Sequence, residues 1–126
     1  MIDFKRADHI HICVPPERLE EARQFYADIV GLKLTHRPEV FRHPGYWFEI
    51  GNIGFHIGIE PGLLTTSRHS AFEVTNLNAA RKQLEENGVK TYEEEKLADR
   101  ERFFFLDPFG NRMELLEYQP PLNLPL

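Results

Sequence analysis

Polar and apolar residues alternate strictly in the stretch Ala7–Val14, which reads ADHIHICV. This period of two predicts a β-strand, with isoleucine and valine side chains on one face. The other face carries His9, His11 and Cys13. Two histidines on one face of a strand indicate a chemical role, although a half-exposed edge strand with solvated histidines would give the same pattern.

Apolar residues at helical spacing predict a helix over Glu17–Val30, followed by Gly31. Asn76 as N-cap and Gly88 at the end predict a second helix over Leu77–Asn87. Other alternating or apolar runs predict further strands, which are Leu32–Arg37, Tyr46–Ile50, Ile53–Glu60, His69–Val74, Val89–Tyr92, Arg102–Leu106 and Arg112–Glu117. Turn-forming residues predict tight turns at Gly51-Asn52 and in Asp107–Asn111. The order strand, helix, strand, strand, strand therefore occurs twice.

This internal repeat sets the predicted fold, because each copy is one supersecondary unit. We predict an α+β fold in a single domain, 1–126, built from two βαβββ modules with helices outside the sheet. Module one covers about 1–62 and module two about 63–118, with a linker at Leu63–Arg68. The remaining residues, 119–126, form a tail rich in proline and leucine.

The unusual polar residues of the predicted strands follow the repeat. One lies in the first strand and one in the last strand of each module, and these residues are His9, His56, His69 and Glu114. Glu114 lies among apolar residues, where a buried carboxylate needs a cation or a proton donor. Imidazoles and a carboxylate are common ligands of Zn, Ni, Fe, Mn and Co. A divalent metal is therefore predicted, although each residue could instead be satisfied by backbone or solvent.

Composition narrows the possible partners and the compartment. The formal net charge is −5, which argues against nucleic acid, since affinity for nucleic acid depends on basic patches. No run of about 18 apolar residues occurs, so no membrane span is predicted. The first residues lack the apolar core of a signal peptide. With Cys13 as the single cysteine, no intrachain disulfide can form, and a cytoplasmic location is expected.

Several motifs resemble those of the vicinal oxygen chelate superfamily, which has the glyoxalase and bleomycin-resistance type of fold. They are DHIHICV, the pair Phe25-Tyr26, HSAFEV and DPFGNRMELLE. The resemblance implies paired βαβββ modules that form a cupped, open sheet around a site. Metal ligands in that family come from the first and last strands of the modules. Carried over by position, they are His9, His56, His69 and Glu114.

The resemblance also implies an activity. We expect a divalent-metal-dependent lyase or isomerase of the glyoxalase type, using Zn, Ni, Co, Mn or Fe as a Lewis acid, with Glu114 or a metal-bound water as the base. His56 stands where glyoxalase I has a glutamate, which leaves more positive charge and favours a small, oxygenated, anionic substrate. Cys13 stands where bacterial glyoxalase I has an arginine that holds glutathione, which argues against glutathione. A homodimer is expected, with the site inside one subunit or shared between two.

Four further residues are predicted to contact the substrate, namely His11, Arg42, Trp47 and Arg102. Cys13 is expected to line the cavity without acting as a nucleophile, because no partner that would lower its pKa is visible. Three other functions remain open. They are a drug-sequestering binding protein without enzymatic activity, an extradiol-type dioxygenase, and an enzyme that transfers a thiol to an epoxide antibiotic.

Overall fold

The computed structural model describes residues 1–62 and 67–120, which fall into two compact units, Met1–Leu64 and Thr65–Leu126. Each unit contains one helical region and one four-stranded sheet. The predicted α+β class with paired βαβββ modules is therefore confirmed. Most of the predicted linker, at 63–66, and most of the predicted tail, at 121–126, lie outside the described residues.

Module one follows the predicted order of elements. Its strands are β1 (His9–Val14), β2 (Lys33–Thr35), β3 (Tyr46–Ile50) and β4 (Ile53–Ile59). Their order in the sheet is β1-β4-β3-β2, with β1 parallel to β4 and the other neighbours antiparallel. The first strand thus lies beside the last one, which places the two candidate ligands of the module on neighbouring strands.

The helical region of module one is less regular than predicted. A 3₁₀ turn (Pro16–Arg18) leads into α1 (Leu19–Gln24), and the last turns widen into a π-helix (Phe25–Val30). The end of the region explains the widening, because the Tyr26 carbonyl accepts hydrogen bonds from the amides of both Gly31 and Leu32. Gly31 has a φ of 88°, a left-handed conformation that glycine adopts at little cost.

Aromatic side chains form the core of module one. The Tyr26 ring packs edge-on against Phe25, with centroids 5.0 Å apart, and lies 4.7 Å from the ring of Phe55. Phe48 completes this cluster and is 1% exposed. Because Phe48 and Phe55 pair across β3 and β4, the helical region covers the face of the sheet opposite the histidines.

Module two repeats the arrangement. Its elements are β5 (His69–Glu73), α2 (Leu77–Glu86), β6 (Thr91–Tyr92), β7 (Arg100–Leu106) and β8 (Arg112–Tyr118). The sheet order is β5-β8-β7-β6, with β5 parallel to β8. As predicted from its position, Asn76 caps α2, and its side-chain oxygen accepts a hydrogen bond from the Ala79 amide at 3.0 Å. The strand β6 is shorter than predicted, and β7 begins two residues earlier.

The predicted turn between β7 and β8 forms around a buried carboxylate. Asp107 is 4% exposed, and its Oδ1 accepts hydrogen bonds from the amides of Phe109 and Asn111 at 2.9 and 2.7 Å. Its Oδ2 accepts a third hydrogen bond from the Asn111 side chain. Gly110 provides the positive φ, at 90°. The turn fixes where β8 begins and therefore the position of Glu114.

The register of the parallel strand pairs tests the repeat at the level of single residues. In module one, His9 is paired with Gly54, two residues before His56. In module two, His69 is paired with Arg112, two residues before Glu114. The candidate ligands therefore occupy equivalent positions in the two modules. Within the described residues, no helix has the length and apolar character needed to cross a membrane.

Candidate metal centre

The candidate ligands of module one belong to a column of stacked rings. The His56 imidazole lies between two rings, with its centroid 4.2 Å from that of His9 and 4.1 Å from that of Trp47. Its plane is 20° from that of His9 and 2° from that of Trp47. Phe41 extends the column, with its ring 5.6 Å from that of Trp47. The stacking fixes the orientation of His56.

A neighbouring carboxylate fixes the orientation of His9. The Nδ1 atom of His9 lies 2.9 Å from Oδ2 of Asp8. An ionised carboxylate accepts hydrogen bonds but cannot donate them. Nδ1 therefore carries the proton, and Nε2 is left as the atom that can bind a metal. Carboxylates often hold metal-binding histidines in this way. This hydrogen bond also lowers the pKa of Asp8 below its usual value.

Two glycines on β4 make room for the histidine rings. A Cβ atom at Gly54 would lie 3.1 Å from both Nε2 of His56 and Cβ of His9. A Cβ atom at Gly58 would lie 2.5 Å from Nε2 of His11, which is closer than real contacts. Larger residues at these positions would displace the rings, so both glycines are part of the histidine face.

The surroundings of His56 and His11 favour neutral imidazole. Burial lowers the pKa of His56, and the positive charges that His9 and His11 would carry lower it further. Burial is also the main cause of the lowered pKa of His11. Metal ions bind neutral imidazole, so this environment keeps His56 in the form that can act as a ligand.

The candidate ligands of module two contact each other directly. Glu114 is 5% exposed, and its Oε1 lies 3.2 Å from Nε2 of His69. The Nδ1 atom of His69 donates a hydrogen bond to the Ser67 carbonyl at 3.0 Å, since a carbonyl oxygen can only accept. A neutral His69 would therefore direct its Nε2 lone pair at a carboxylate oxygen. A proton on Nε2 or a metal ion between the two atoms removes this repulsion.

Arg102 is a second cation beside Glu114. Its Nη1 lies 3.5 Å from Oε1 of Glu114, and its side chain is only 16% exposed. The carboxylate that looked costly on an apolar strand thus has two basic neighbours from its own module, His69 and Arg102. Arg102 was predicted to contact substrate, and the structure gives it a contact with the candidate base.

The donor atoms of module two have the spacing that a metal ion requires. Two ligands that are each about 2.1 Å from one ion lie roughly 3.0–3.4 Å apart, which includes the distance between His69 and Glu114. In module one the rings of His9 and His56 are stacked face to face, with their centroids 4.2 Å apart. Among residues 1–62 and 67–120, no three or more His, Cys, Asp or Glu side chains are grouped closely enough to hold a metal.

The other predicted site residues differ in their surroundings. His11 lies on the same face of β1 as His9, and Trp47 stacks on His56. Arg42 is exposed in the loop between β2 and β3. For Cys13, burial and the nearby carboxylate of Glu60 raise the pKa of the thiol, which fits a lining role and disfavours a nucleophile.

Sequence reasoning did not identify Asp8 and Arg112 as part of these surroundings. Asp8 directly precedes His9, and an acidic residue next to a candidate ligand is a signal that could have found it. Arg112 is two residues before Glu114, on the same face of β8, so strand alternation could have found it too. Arg112 lies over the Phe104 ring, with its guanidinium carbon 4.5 Å from the centroid.

Two βαβββ modules, each with a histidine-containing pair on its first and last strands, define a glyoxalase-like architecture. A sequence profile of the Glyoxalase/Bleomycin resistance protein/Dioxygenase superfamily matches residues 6–115. The chain belongs to this superfamily, as its motifs predicted.

Individual relatives span several kinds of protein. Glyoxylase I 4 of Arabidopsis thaliana is 26% identical over 117 residues, which cover 83% of this chain and 67% of the relative. A structure from Bacillus anthracis assigned to the glyoxalase family is 33% identical, with a TM-score of 0.85 over 94% of this chain and 100% of the other. TnmS3, an antibiotic binding protein from Streptomyces sp. CB03234, is 21% identical, with a TM-score of 0.72 over 94% and 100%. The likeness to TnmS3 shows the fold alone.

Proposed function

We propose that this protein is a divalent-metal-dependent enzyme of the glyoxalase type, a lyase or isomerase that acts on a small, oxygenated, anionic substrate. The metal would be held by His9, His56, His69 and Glu114, with Zn, Ni, Co, Mn and Fe as candidate ions. Membership of the superfamily supports the general class. The ligand set and the reaction are our own inference from the two pairs of side chains.

One observation carries the proposal. The Nδ1–H group of His69 donates a hydrogen bond to the Ser67 carbonyl, and Nε2 of His69 faces Oε1 of Glu114 at 3.2 Å. Two electron-pair donors held this way repel each other unless a positive centre lies between them. The equivalent pair in module one, His9 and His56, keeps its imidazoles oriented by Asp8 and Trp47.

The residues of the chain would divide the work as follows. When bound, the metal would supply a Lewis acid that polarises a substrate carbonyl. Glu114 would move a proton to or from the substrate, because a buried carboxylate that lies beside the substrate can act as a general base. Asp8 and the Ser67 carbonyl would fix the tautomers of His9 and His69. Arg102 would balance the charge of Glu114.

Metal content tests the proposal most directly. Protein purified without a histidine tag should contain about one equivalent of a divalent ion per chain by elemental mass spectrometry. His69→Ala should lose this metal while keeping the fold, as checked by circular dichroism. His36→Ala is the matched control, since His36 is exposed in a loop of module one. If the ion is retained in His69→Ala, or absent from the wild type even after reconstitution, the proposal is wrong.

The stoichiometry does not depend on the oligomer. We infer a homodimer from the family, and one ion per chain is expected both for sites inside each subunit and for sites shared between two subunits. The metal-to-chain ratio therefore tests the ligand set, and light scattering or ultracentrifugation tests the dimer separately.

A binding protein without enzymatic activity is the second candidate. Its support is the aromatic column of Phe41, Trp47 and His56, which could hold a flat ligand, and the fold shared with an antibiotic binding protein. The two candidates differ in metal dependence. Tight binding of an aromatic ligand to metal-free protein, with quenching of the single tryptophan, Trp47, would favour the binding protein.

A further inference from the structure

The loop between β6 and β7 is held in place by charge. It contains three consecutive glutamates, Glu93–Glu95, and each contacts an arginine from a different element of module two. The arginines are Arg81 on α2, Arg112 on β8 and Arg102 on β7. The three contacts differ in distance and in the atoms involved, and the difference identifies which glutamate of the loop approaches the sheet.

Glu94 is the glutamate that approaches the sheet. Its Oε1 accepts a hydrogen bond from Nη2 of Arg112 at 2.9 Å, and its side chain is 35% exposed, against 67% for Glu93 and 87% for Glu95. Glu95 meets Arg102 mainly through its backbone carbonyl, at 2.8 Å, while its carboxylate lies 4.0 Å away. Glu94 therefore supplies the carboxylate closest to the arginines of the sheet.

Arg102 and Arg112 are arranged around one aromatic ring. Their guanidinium carbons lie 5.2 and 4.5 Å from the centroid of Phe104, and their side chains are 16% and 21% exposed. The Nε atom of each is buried without a hydrogen-bond partner among the described residues. Such partly dehydrated guanidinium groups bind carboxylate or phosphate oxygens strongly, because these acceptors match the planar array of N–H donors.

The position of this arginine pair relates it to the candidate base. Arg102 contacts Glu114 at 3.5 Å, and Arg112 is paired in register with His69. An anion held by Arg112 would therefore lie beside the side chains to which we assign the chemistry. Glu94 is itself a carboxylate on one of these arginines, so it shows the kind of group that this site accepts.

We propose that Arg112 binds the carboxylate or phosphate group of the substrate, and that Glu94 occupies this position on Arg112 until the substrate replaces it. The proposal names the substrate class of the site. Binding of the anion does not depend on the function proposed above, and only the statement that the anion belongs to the substrate rests on that function. Binding exchanges the contact between Glu94 and Arg112 for a contact between the anion and Arg112, so the part of the loop at Glu94 is released as the anion enters.

A charge-matched pair of variants tests the proposal in metal-free protein. The probes are malonate and inorganic phosphate, with binding measured by titration calorimetry. Glu94→Gln should tighten binding of the preferred probe about fivefold, because removal of the competing carboxylate is worth about one partly exposed ion pair. Glu93→Gln removes the same charge one residue away but faces Arg81, and it should leave the affinity close to that of the wild type.

Loss of an arginine should have the opposite effect. Arg112→Gln should weaken binding of the probe about tenfold, and Arg112→Lys should recover only part of it, because lysine keeps the charge without the planar donors. The lysine variant also guards against a folding defect in the glutamine variant. Hydrogen exchange of loop 93–99 should increase when the wild type is saturated with the probe.

Several outcomes would overturn the proposal. One is an equal gain in affinity for the probe in Glu93→Gln and Glu94→Gln, which would reflect net charge alone. Another is that neither probe binds to the wild type or to Glu94→Gln. A loop whose exchange is unchanged by saturation would refute the displacement of Glu94. None of these measurements uses a metal, so they can fail while the metal assay succeeds, and the reverse also holds.

Discussion

The two modules have the same arrangement of strands but carry different side chains at equivalent positions, stacked aromatic rings in one and charged groups in the other. In module one the last strand places His56 between the rings of His9 and Trp47, in a stack that favours uncharged imidazole. In module two the equivalent position holds Glu114, and the ring opposite it is Phe104. One repeat has thus become an aromatic half-site and the other a charged half-site.

Two pairs of equivalent residues explain the difference. Gly54 stands two residues before His56, where module two has Arg112 two residues before Glu114. Gly45 stands two residues before Trp47, where module two has Arg102 two residues before Phe104. Glycine leaves room in module one, and arginine supplies charge in module two. The glycine-to-arginine exchange is what separates the two half-sites.

The space at these glycines is already filled in module one. A Cβ atom at Gly45 would lie 2.5 Å from the Ile57 carbonyl oxygen and 3.2 Å from Nε of Arg37. A Cβ atom at Gly54 would press on His9 and His56. Arginine could not replace glycine at either position without moving the backbone or the rings, so the charged arrangement of module two is not available to module one.

The largest difference between the modules should appear in stability. Glu114→Gln should lower the free energy of unfolding of the metal-free protein by about 2–3 kcal/mol, because Arg102 is left largely buried without its carboxylate. His56→Gln, at the equivalent position, should cost about 1 kcal/mol, since it loses ring stacking but leaves no buried charge unpaired. Urea unfolding curves measure both values.

Glu101→Gln is the control for the loss of a carboxylate, because Glu101 is exposed on the neighbouring strand β7. Its free energy of unfolding should stay within about 0.5 kcal/mol of the wild type. If His56→Gln lowers the free energy of unfolding as much as Glu114→Gln does, the charged half-site does not depend more on its side-chain pairing than the aromatic half-site does, and the comparison between the modules fails.

A smaller effect should separate the roles of two histidines in module one. Gly54→Ala should weaken metal binding about tenfold, because its Cβ displaces His9 and His56 together, and small movements of ligands cost affinity. Gly58→Ala should displace His11 and leave metal affinity nearly unchanged. Competition with a chromophoric chelator measures both affinities.

The two alanine variants are matched, since both add one methyl group to β4 on the histidine face. A larger loss of metal affinity in Gly58→Ala would make His11 a ligand and would remove His9 or His56 from the set. Equal losses would indicate a general disturbance of the strand, which the unfolding curves of the two variants would reveal.

The repeat and the candidate pairs could be predicted from sequence because they depend on local patterns. Alternation placed His9 and His56 on strands, and the turn residues Asp107 and Gly110 fixed the start of β8. The end of the first helical region could not be predicted in detail, because its π-helical turns combine hydrogen bonds from Gly31 and Leu32 to the Tyr26 carbonyl with the packing of Tyr26 on Phe55. Local sequence carries no signal for that packing.

The partners of the candidate ligands were the least predictable part. The contact of Arg102 with Glu114 joins neighbouring strands, and the contact of Arg112 with Glu94 joins β8 to a loop 18 residues earlier in the chain. Such contacts depend on strand register and side-chain conformation, which residue types do not determine. The sequence predicted that a buried Glu114 needs a cation or a proton donor, and its basic neighbours inside the module, His69 and Arg102, could be named only from the structure.

The smallest expected effect is a pH dependence that arises in module one. Burial lowers the pKa of His56 and of His11. In the unfolded chain these histidines bind protons near the ordinary histidine pKa of about 6.5, whereas in the folded chain they bind protons only at a lower pH. Stability of the metal-free protein should therefore be constant above this value and fall as the pH drops below it. His11→Gln should reduce this loss, whereas His36→Gln should not, as measured by urea unfolding between about pH 7.5 and pH 5.5. An unchanged loss in His11→Gln would mean that His11 does not contribute to the acid sensitivity.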